Sequence, residues 1–271
     1  MEYRELSEYW ESFPATANIY LTVASPEATA DIYALATRLG VSDIGREEWV
    51  ETGAISRMNR GSDAFTLYRP SGAVQYFDST RWQTDDGVST MDVSDKVAAT
   101  AGYMEVDRLD LRGHDEFRLE QVNRLYAASG TAGTPLRSPR IIDAGVVFRR
   151  FIDDLPVAGK GGRIIVYLDR ELRLTGCERT ARRIASVQSR TQGWRSVEEV
   201  LEDIRAHWNQ QNSNTATVTG LQLSYFEGGR MAEQHFIQPT FCLDLDLQPA
   251  SGGMLTRVRH YMPAATNGID L

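Results

Sequence analysis

Residues with catalytic or ligating side chains are few and scattered. The four histidines, His114, His207, His235 and His260, show no His-x-x-x-His spacing, and no Cys-x-x-Cys accompanies them. Zinc sites draw three or four ligands from such spacings, so no metal is expected. His207 reads as a residue near a helix C-terminus, where the dipole favours a cation. His235 and His260 fall on candidate neighbouring strands and could approach each other. Without a third ligand they read as surface histidines. Cys177 and Cys242, the only cysteines, either pair or lie as two buried thiols. Most buried thiols are inert, which argues against a Cys242–His235 nucleophile. No Gly-x-Ser-x-Gly elbow is present, so no catalytic residue is assigned.

Asp244 and Asp246 alternate with Leu243, Leu245 and Leu247. Alternation puts the two carboxylates on one sheet face, about 7 Å apart. Acid–base pairs use that spacing, and so does any solvated outer face. Asp153-Asp154 precedes Leu155-Pro156 and reads as turn chemistry. Gly159-Lys160-Gly161-Gly162 lacks the phosphate-loop pattern and joins strands instead of opening a helix. Arg149 with Arg150, and Arg179 with Arg182 and Arg183, form local basic clusters. Neighbours on a strand point to opposite faces, so these read as ion-paired or solvated sheet positions.

The net charge of −8 repels phosphate backbones and argues against nucleic acid as a partner. No apolar run is long enough to span a bilayer. Met1-Glu-Tyr-Arg-Glu-Leu is not a signal peptide. The chain is therefore expected to be cytoplasmic, or extracytoplasmic where a leader or anchor has been removed.

The elements that position these residues show clear punctuation. Residues 18–24 read as a strand. Ser25-Pro26-Glu27 then opens a helix whose face is Ile32, Leu35, Ala36 and Leu39, closed by Gly40. Residues 64–68 and 73–78 flank Arg69-Pro-Ser-Gly72 as a hairpin. A second helix over 93–104 carries Val93, Val97, Ala98, Ala101 and Met104 as its apolar stripe. Residues 105–125 are highly charged and fit no period, and 126–138 read as an exposed loop. Strands are expected at 141–152, 163–169 and 180–186. Ser196-Val-Glu-Glu199 is a capping box, and the third helix, 196–208, buries Val197, Val200, Leu201, Ile204 and Trp208. Strands at 216–226, 234–247 and 255–262 follow, with turns at Gly228-Gly229 and Ser251-Gly-Gly253.

Four segments resemble the PepSY and thermolysin-propeptide-like modules and the two-domain YycH/YycI-type regulatory proteins. They are Phe13 to Gly40, the Phe148–Asp169 stretch with its Pro156-Val-x-Gly-x-Gly-Gly162, the Ser196–Trp208 helix, and Leu221–Phe226 through Pro239 to Met262-Pro-Ala264. The resemblance implies a module that binds, inhibits or regulates and does not catalyse; no cofactor is expected.

The expected fold is α+β, with tandem units of a helix packed on curved, mostly antiparallel sheet. Residues 1–90 would form one helix-plus-sheet domain and residues 91–271 a second, of two units. The expected function is non-catalytic binding or regulation of a protein partner through a sheet face or edge, as an inhibitor or signalling modulator. The rival is an enzyme or small-ligand binder with a pocket between helix and sheet. Arg149, Arg150, Tyr225, Asp244 and His260 are the candidate binding residues. The sequence does not fix the oligomeric state.

Overall fold

The computed structural model describes residues 10–23, 28–41, 44–45, 48–81, 91–128, 139–212, 214–249 and 253–269. About half of the described residues are strand and under a fifth are helix, so the fold is mostly β. The strands of the first third are β1 (Asn18–Val23), β2 (Val50–Thr52), β3 (Ile55–Arg60), β4 (Asp63–Tyr68) and β5 (Ala73–Asp78). Next come β6 (Glu116–Ala127), β7 (Arg140–Ile152), β8 (Leu155–Ala158), β9 (Arg163–Leu168), β10 (Leu174–Arg179) and β11 (Arg183–Arg190). The last are β12 (Asn214–Phe226), β13 (Phe236–Ile237), β14 (Pro239–Pro249) and β15 (Thr256–Pro263). Among the described residues the longer helices are α1 (Ala28–Arg38), α2 (Asp95–Arg108) and α3 (Val197–Asn212).

A 12-stranded sheet runs β15-β14-β12-β8-β7-β9-β10-β5-β4-β3-β2, with β6 also paired to β7. A three-stranded sheet, β11-β1-β13, accompanies it. This corrects the expected α+β fold of tandem helix-on-sheet units. The three helices form over the expected stretches, although α2 turns a different face inward. The strands, however, join one 12-stranded and one three-stranded sheet instead of a series of helix-plus-sheet units. The sheet crosses from the 1–90 segment into 91–271 where β5 pairs antiparallel with β10.

Two corrections have local causes. The charged stretch after α2 is the 12-residue strand β6. Its register on β7 skips Glu120, which breaks the two-residue period that would have revealed a strand. In α2 the expected stripe is turned: Val97 and Met104 are exposed, while Ala98, Ala99, Gly102 and Val106 are buried. Small residues bring this helix close to β7, since a Cβ on Gly102 would lie 2.8 Å from Val146 Cγ1.

Other expectations form as read. Ser196 and Glu199 close the capping box, with Ser196 N donating to Glu199 at 2.7 Å and Glu199 N to Ser196 Oγ at 3.2 Å. Leu243, Leu245 and Leu247 pack under Val197, Val200 and Ile204 of α3. Asp153 and Asp154 take φ of 48° and 62° in the two-residue β7–β8 turn, a conformation that aspartate tolerates. The Pro156-Val157 pair lies in β8, beyond that turn, and β8 runs parallel to β12. The 234–247 run is broken at Gln238 into β13 and β14, which join different sheets. The cap Ser25-Pro26-Glu27, most of the 126–138 loop, Ser251-Gly252 and the opening Met1-Glu-Tyr-Arg-Glu-Leu stretch lie outside the described residues. Among those described, no helix is long and apolar enough to cross a membrane.

Candidate functional site

Arg149 and Arg150 are neighbours on β7 and point to opposite faces. On the Arg149 side, Nη1 donates to the Val157 carbonyl at 2.6 Å and Nη2 to Glu120 Oε1 at 2.5 Å. Glu120 is the bulged residue of β6, and bulges re-aim side chains in this way. Arg163, the first residue of β9, is the direct cross-strand partner of Arg149. Its Nε lies 3.7 Å from Glu120 Oε2. From the far side, Arg259 on β15 forms a bidentate pair with Asp244 of β14, Nε–Oδ1 at 2.8 Å and Nη2–Oδ2 at 3.2 Å. Gly220, opposite Asp244 after a second bulge at Thr219, leaves room for that carboxylate. A Cβ there would sit 3.1 Å from Asp244 Oδ2.

Glu120, Arg149, Arg163 and Arg259 border a cleft of about 220 Å³, with Gln222, Cys242 and Tyr261 completing its wall beside β8. Burial and the charge of Arg149 hold Arg163 below the ordinary arginine range, with Glu120 pulling the other way. Arg259 is shifted up by its hydrogen bond to Asp244. Burial pushes the Tyr261 hydroxyl up, and pushes the Cys242 thiol to about 11, so that thiol stays protonated. Cys177 is likewise raised to about 12 by burial; both cysteines are free.

The Arg150 side is closed. Arg150 Nη2 donates to Asp115 at 2.7 Å, and Nη1 reaches the Arg182 carbonyl at 2.9 Å and Glu227 at 3.3 Å. Glu227, fully buried, also accepts from the Arg182 amide at 2.6 Å. Arg182 uses its terminal nitrogens on the carbonyls of Gly228, Gly229 and Ala232. The glycines of the 159–162 loop close over this cluster. A Cβ on Gly161 would come within 2.5 Å of the Gly228 carbonyl and 2.7 Å of Glu227 Cγ. Arg150 and Arg182 are ion-paired as expected for sheet positions, but they are buried, not solvated. Burial pushes the Glu227 carboxyl up, and the two guanidiniums oppose it.

The remaining candidate residues lie apart. The hydroxyls of Tyr225 and Tyr20 both donate to Asp153, at 2.8 and 2.7 Å, tying β12 and β1 to the β7–β8 turn. His260 faces α3, where its ring meets His207 at a centroid distance of 5.0 Å beside Trp208. It does not pair with His235, whose carbonyl accepts from Thr22 of β1. Burial, then His207, lowers the His260 pKa. The five candidates therefore fall into four places. Only Arg149 borders the cleft; Asp244 meets it through the hydrogen bonds it accepts from Arg259.

Arg163, Arg259, Glu120, Tyr261 and Glu227 were missed. The register around Ser251-Gly-Gly253 places Asp246 opposite Arg257 and Asp244 opposite Arg259, so the latter pair could have been found from the hairpin. Glu120 carries no such signal, because the bulge that aims it also hides its strand.

A second cleft, of about 320 Å³, lies between α1 and strands β5, β10 and β11. Asp31, Arg38, His114, Asp115 and Arg179 border it. Among the described residues no group of three or more His, Cys, Asp or Glu could hold a metal ion.

No protein-family model matches the chain, and no curated protein matches it. Its fold is similar to the crystal structure of an uncharacterized protein from Eubacterium rectale ATCC 33656. The TM-score is 0.52 at 10% sequence identity, over 94% of this chain and 85% of that one. At that identity the likeness shows a shared fold.

Proposed function

We propose that the chain is a non-catalytic binding protein that offers the β15 edge to an extended, acidic segment of a protein partner. The carrying observation is the character of that edge. β15 pairs with β14 through eight residues without a register shift, and ends the large sheet. The other free edges are blunted: β2 has three residues, and the pairings of β6 and β11 each carry two register shifts. Bulges and short strands protect an edge, whereas a regular edge accepts another strand. Arg257 and Arg259 lie on the open face of β15, and Met254 and Leu255, both exposed, lead into it. Both arginines pair with Asp246 and Asp244 of β14, and their exposed guanidiniums keep further N–H donors for acidic side chains on an incoming strand. The resemblance to PepSY and propeptide-like modules supports a role in occluding a partner's surface.

The test is amide hydrogen exchange on the chain with and without a partner recovered from its native host. Slowed exchange along β15, and loss of the complex in Arg257→Glu/Arg259→Glu, are the expected results. Protection confined to β11 or β2, or a complex indifferent to the charge reversals, would sink the reading. The rival, a small-ligand protein, has the α1–β10 cleft as its support.

A further inference from the structure

We propose that the cleft bordered by Arg149, Arg163 and Arg259 is an oxyanion site that takes a carboxylate or a phosphate group. This goes beyond the β15 edge reading and does not rest on it. Arg149 and Arg163 stand directly opposite each other on adjacent strands. Like charges in that relation destabilise a sheet. Arg149 is compensated by Glu120, and Arg259 by Asp244. Arg163 shares Glu120 with Arg149 through a longer ion pair and has no carboxylate of its own; its side chain is part-exposed, and its guanidinium makes no hydrogen bond to a described residue. Its Nε is shut off from solvent, and the 3.7 Å approach to Glu120 is too long for a hydrogen bond.

The buried arginines on the other face differ in one respect that matters. Their Nε atoms are also unpaired, but their terminal nitrogens are taken up by carboxylates and carbonyls. Arg163 has terminal nitrogens to spare and a cleft in front of them. Three guanidiniums against two carboxylates leave one positive charge over. A carboxylate or phosphate matches that surplus, because the planar guanidinium fork binds either group through two parallel bonds. The Tyr261 hydroxyl is a further donor on the cleft wall. About 220 Å³ holds such a group with water beside it.

The experiment is calorimetric titration of the whole chain at low salt. Inorganic phosphate is the ligand in one arm and N-acetylglutamate in the other. Saturable binding with Kd below about 1 mM is expected in at least one arm, weakening as salt is added. Arg163→Gln should lower the affinity at least about tenfold while the circular dichroism spectrum stays that of the parent. A phosphate-only response assigns a phosphate ligand, a glutamate-only response an acidic side chain or small acid; either supports the site. No saturation in either arm, or equal affinity in Arg163→Gln, overturns it. Should Arg163→Gln not fold, the Nε–H resonance of Arg163 in the parent chain decides: movement on titration supports the site, and a fixed resonance overturns it. Anion binding retained in a chain whose β15 edge shows no partner protection would sink the edge reading alone.

Discussion

Arg149 and Arg150 are one residue apart and live in different worlds. Arg150 enters a closed cluster in which Glu227 and Asp115 answer Arg150 and Arg182, and three glycines allow the chain to seal it. Arg149 enters an open cleft in which one guanidinium is left over. A buried ion cluster survives only where every charge has partners, so the closed face is intelligible as scaffold. The open face has a like-charge pair across two strands that folding alone does not reward. The contrast teaches where to look for a ligand: at charge that the fold tolerates without compensating it.

The largest effect tests the closed side. Glu227→Ala leaves two buried guanidiniums without their shared carboxylate, and should cost about 3–5 kcal/mol in a denaturant titration. A loss under about 1 kcal/mol would mean that the cluster is not sealed, and the contrast would lose one of its halves.

Asp143 is an intermediate case, a buried carboxylate without a cation. Burial raises it to about 6, a neighbouring Asp169 charge adds to the rise, and a 2.7 Å hydrogen bond from Thr175 opposes it. The folded pKa lies above the unfolded value, so the site's stabilising contribution is complete below about pH 4. That contribution is lost as pH rises through about 6. Asp143→Asn should therefore stabilise the chain at pH 8 by up to about 3 kcal/mol, and the gain should vanish near pH 4. Melting curves at the two pH values check this; a pH-independent difference would show that Asp143 is compensated as Glu227 is.

Much of the local structure follows from the sequence, and its failures have causes. The α3 cap, the Leu243–Leu247 alternation and the Asp153-Asp154 turn depend on residues within a few positions of one another. The continuous sheet does not: β5 meets β10 across a hundred residues, and no local pattern reports it. The α2 face was partly misjudged because Val97 and Met104 look like core, whereas Ala99 and Gly102 join Ala98 on the buried side and let the helix approach β7. The cleft was half visible. Arg149 and Asp244 were singled out, but Glu120 stands at a bulge, and Arg163 matters only once its cross-strand partner is known.

Glycine substitutions sharpen the contrast at smaller scale. On the closed side, a methyl at Gly161 meets the backbone carbonyl of Gly228 at 2.5 Å, which cannot swing away. Gly161→Ala should cost about 1–3 kcal/mol. On the Arg259 side, a methyl at Gly220 meets mainly the Asp244 side chain, at 3.1 Å and beyond. Gly220→Ala should cost less than Gly161→Ala in the same denaturant titration. Equal losses would show that the Arg259 side is as rigid as the sealed loop.

The smallest expected change carries the most weight. Arg163→Gln removes a cation that is partly desolvated, repelled by Arg149 and without a hydrogen bond to a described residue. Its loss should leave stability within about 0.5 kcal/mol of the parent, or raise it slightly. Glu120 keeps its short contact with Arg149 and is not stranded by the change. Thermal melts at low and at moderate salt check the point. Added salt screens the Arg149–Arg163 repulsion in the parent, so any advantage of the variant should shrink as salt rises. A large destabilisation would mean that Arg163 is compensated after all, making both faces of β7 scaffold. Unchanged stability would leave Arg163 as a charge the fold does not need, set in a cleft beside two other arginines.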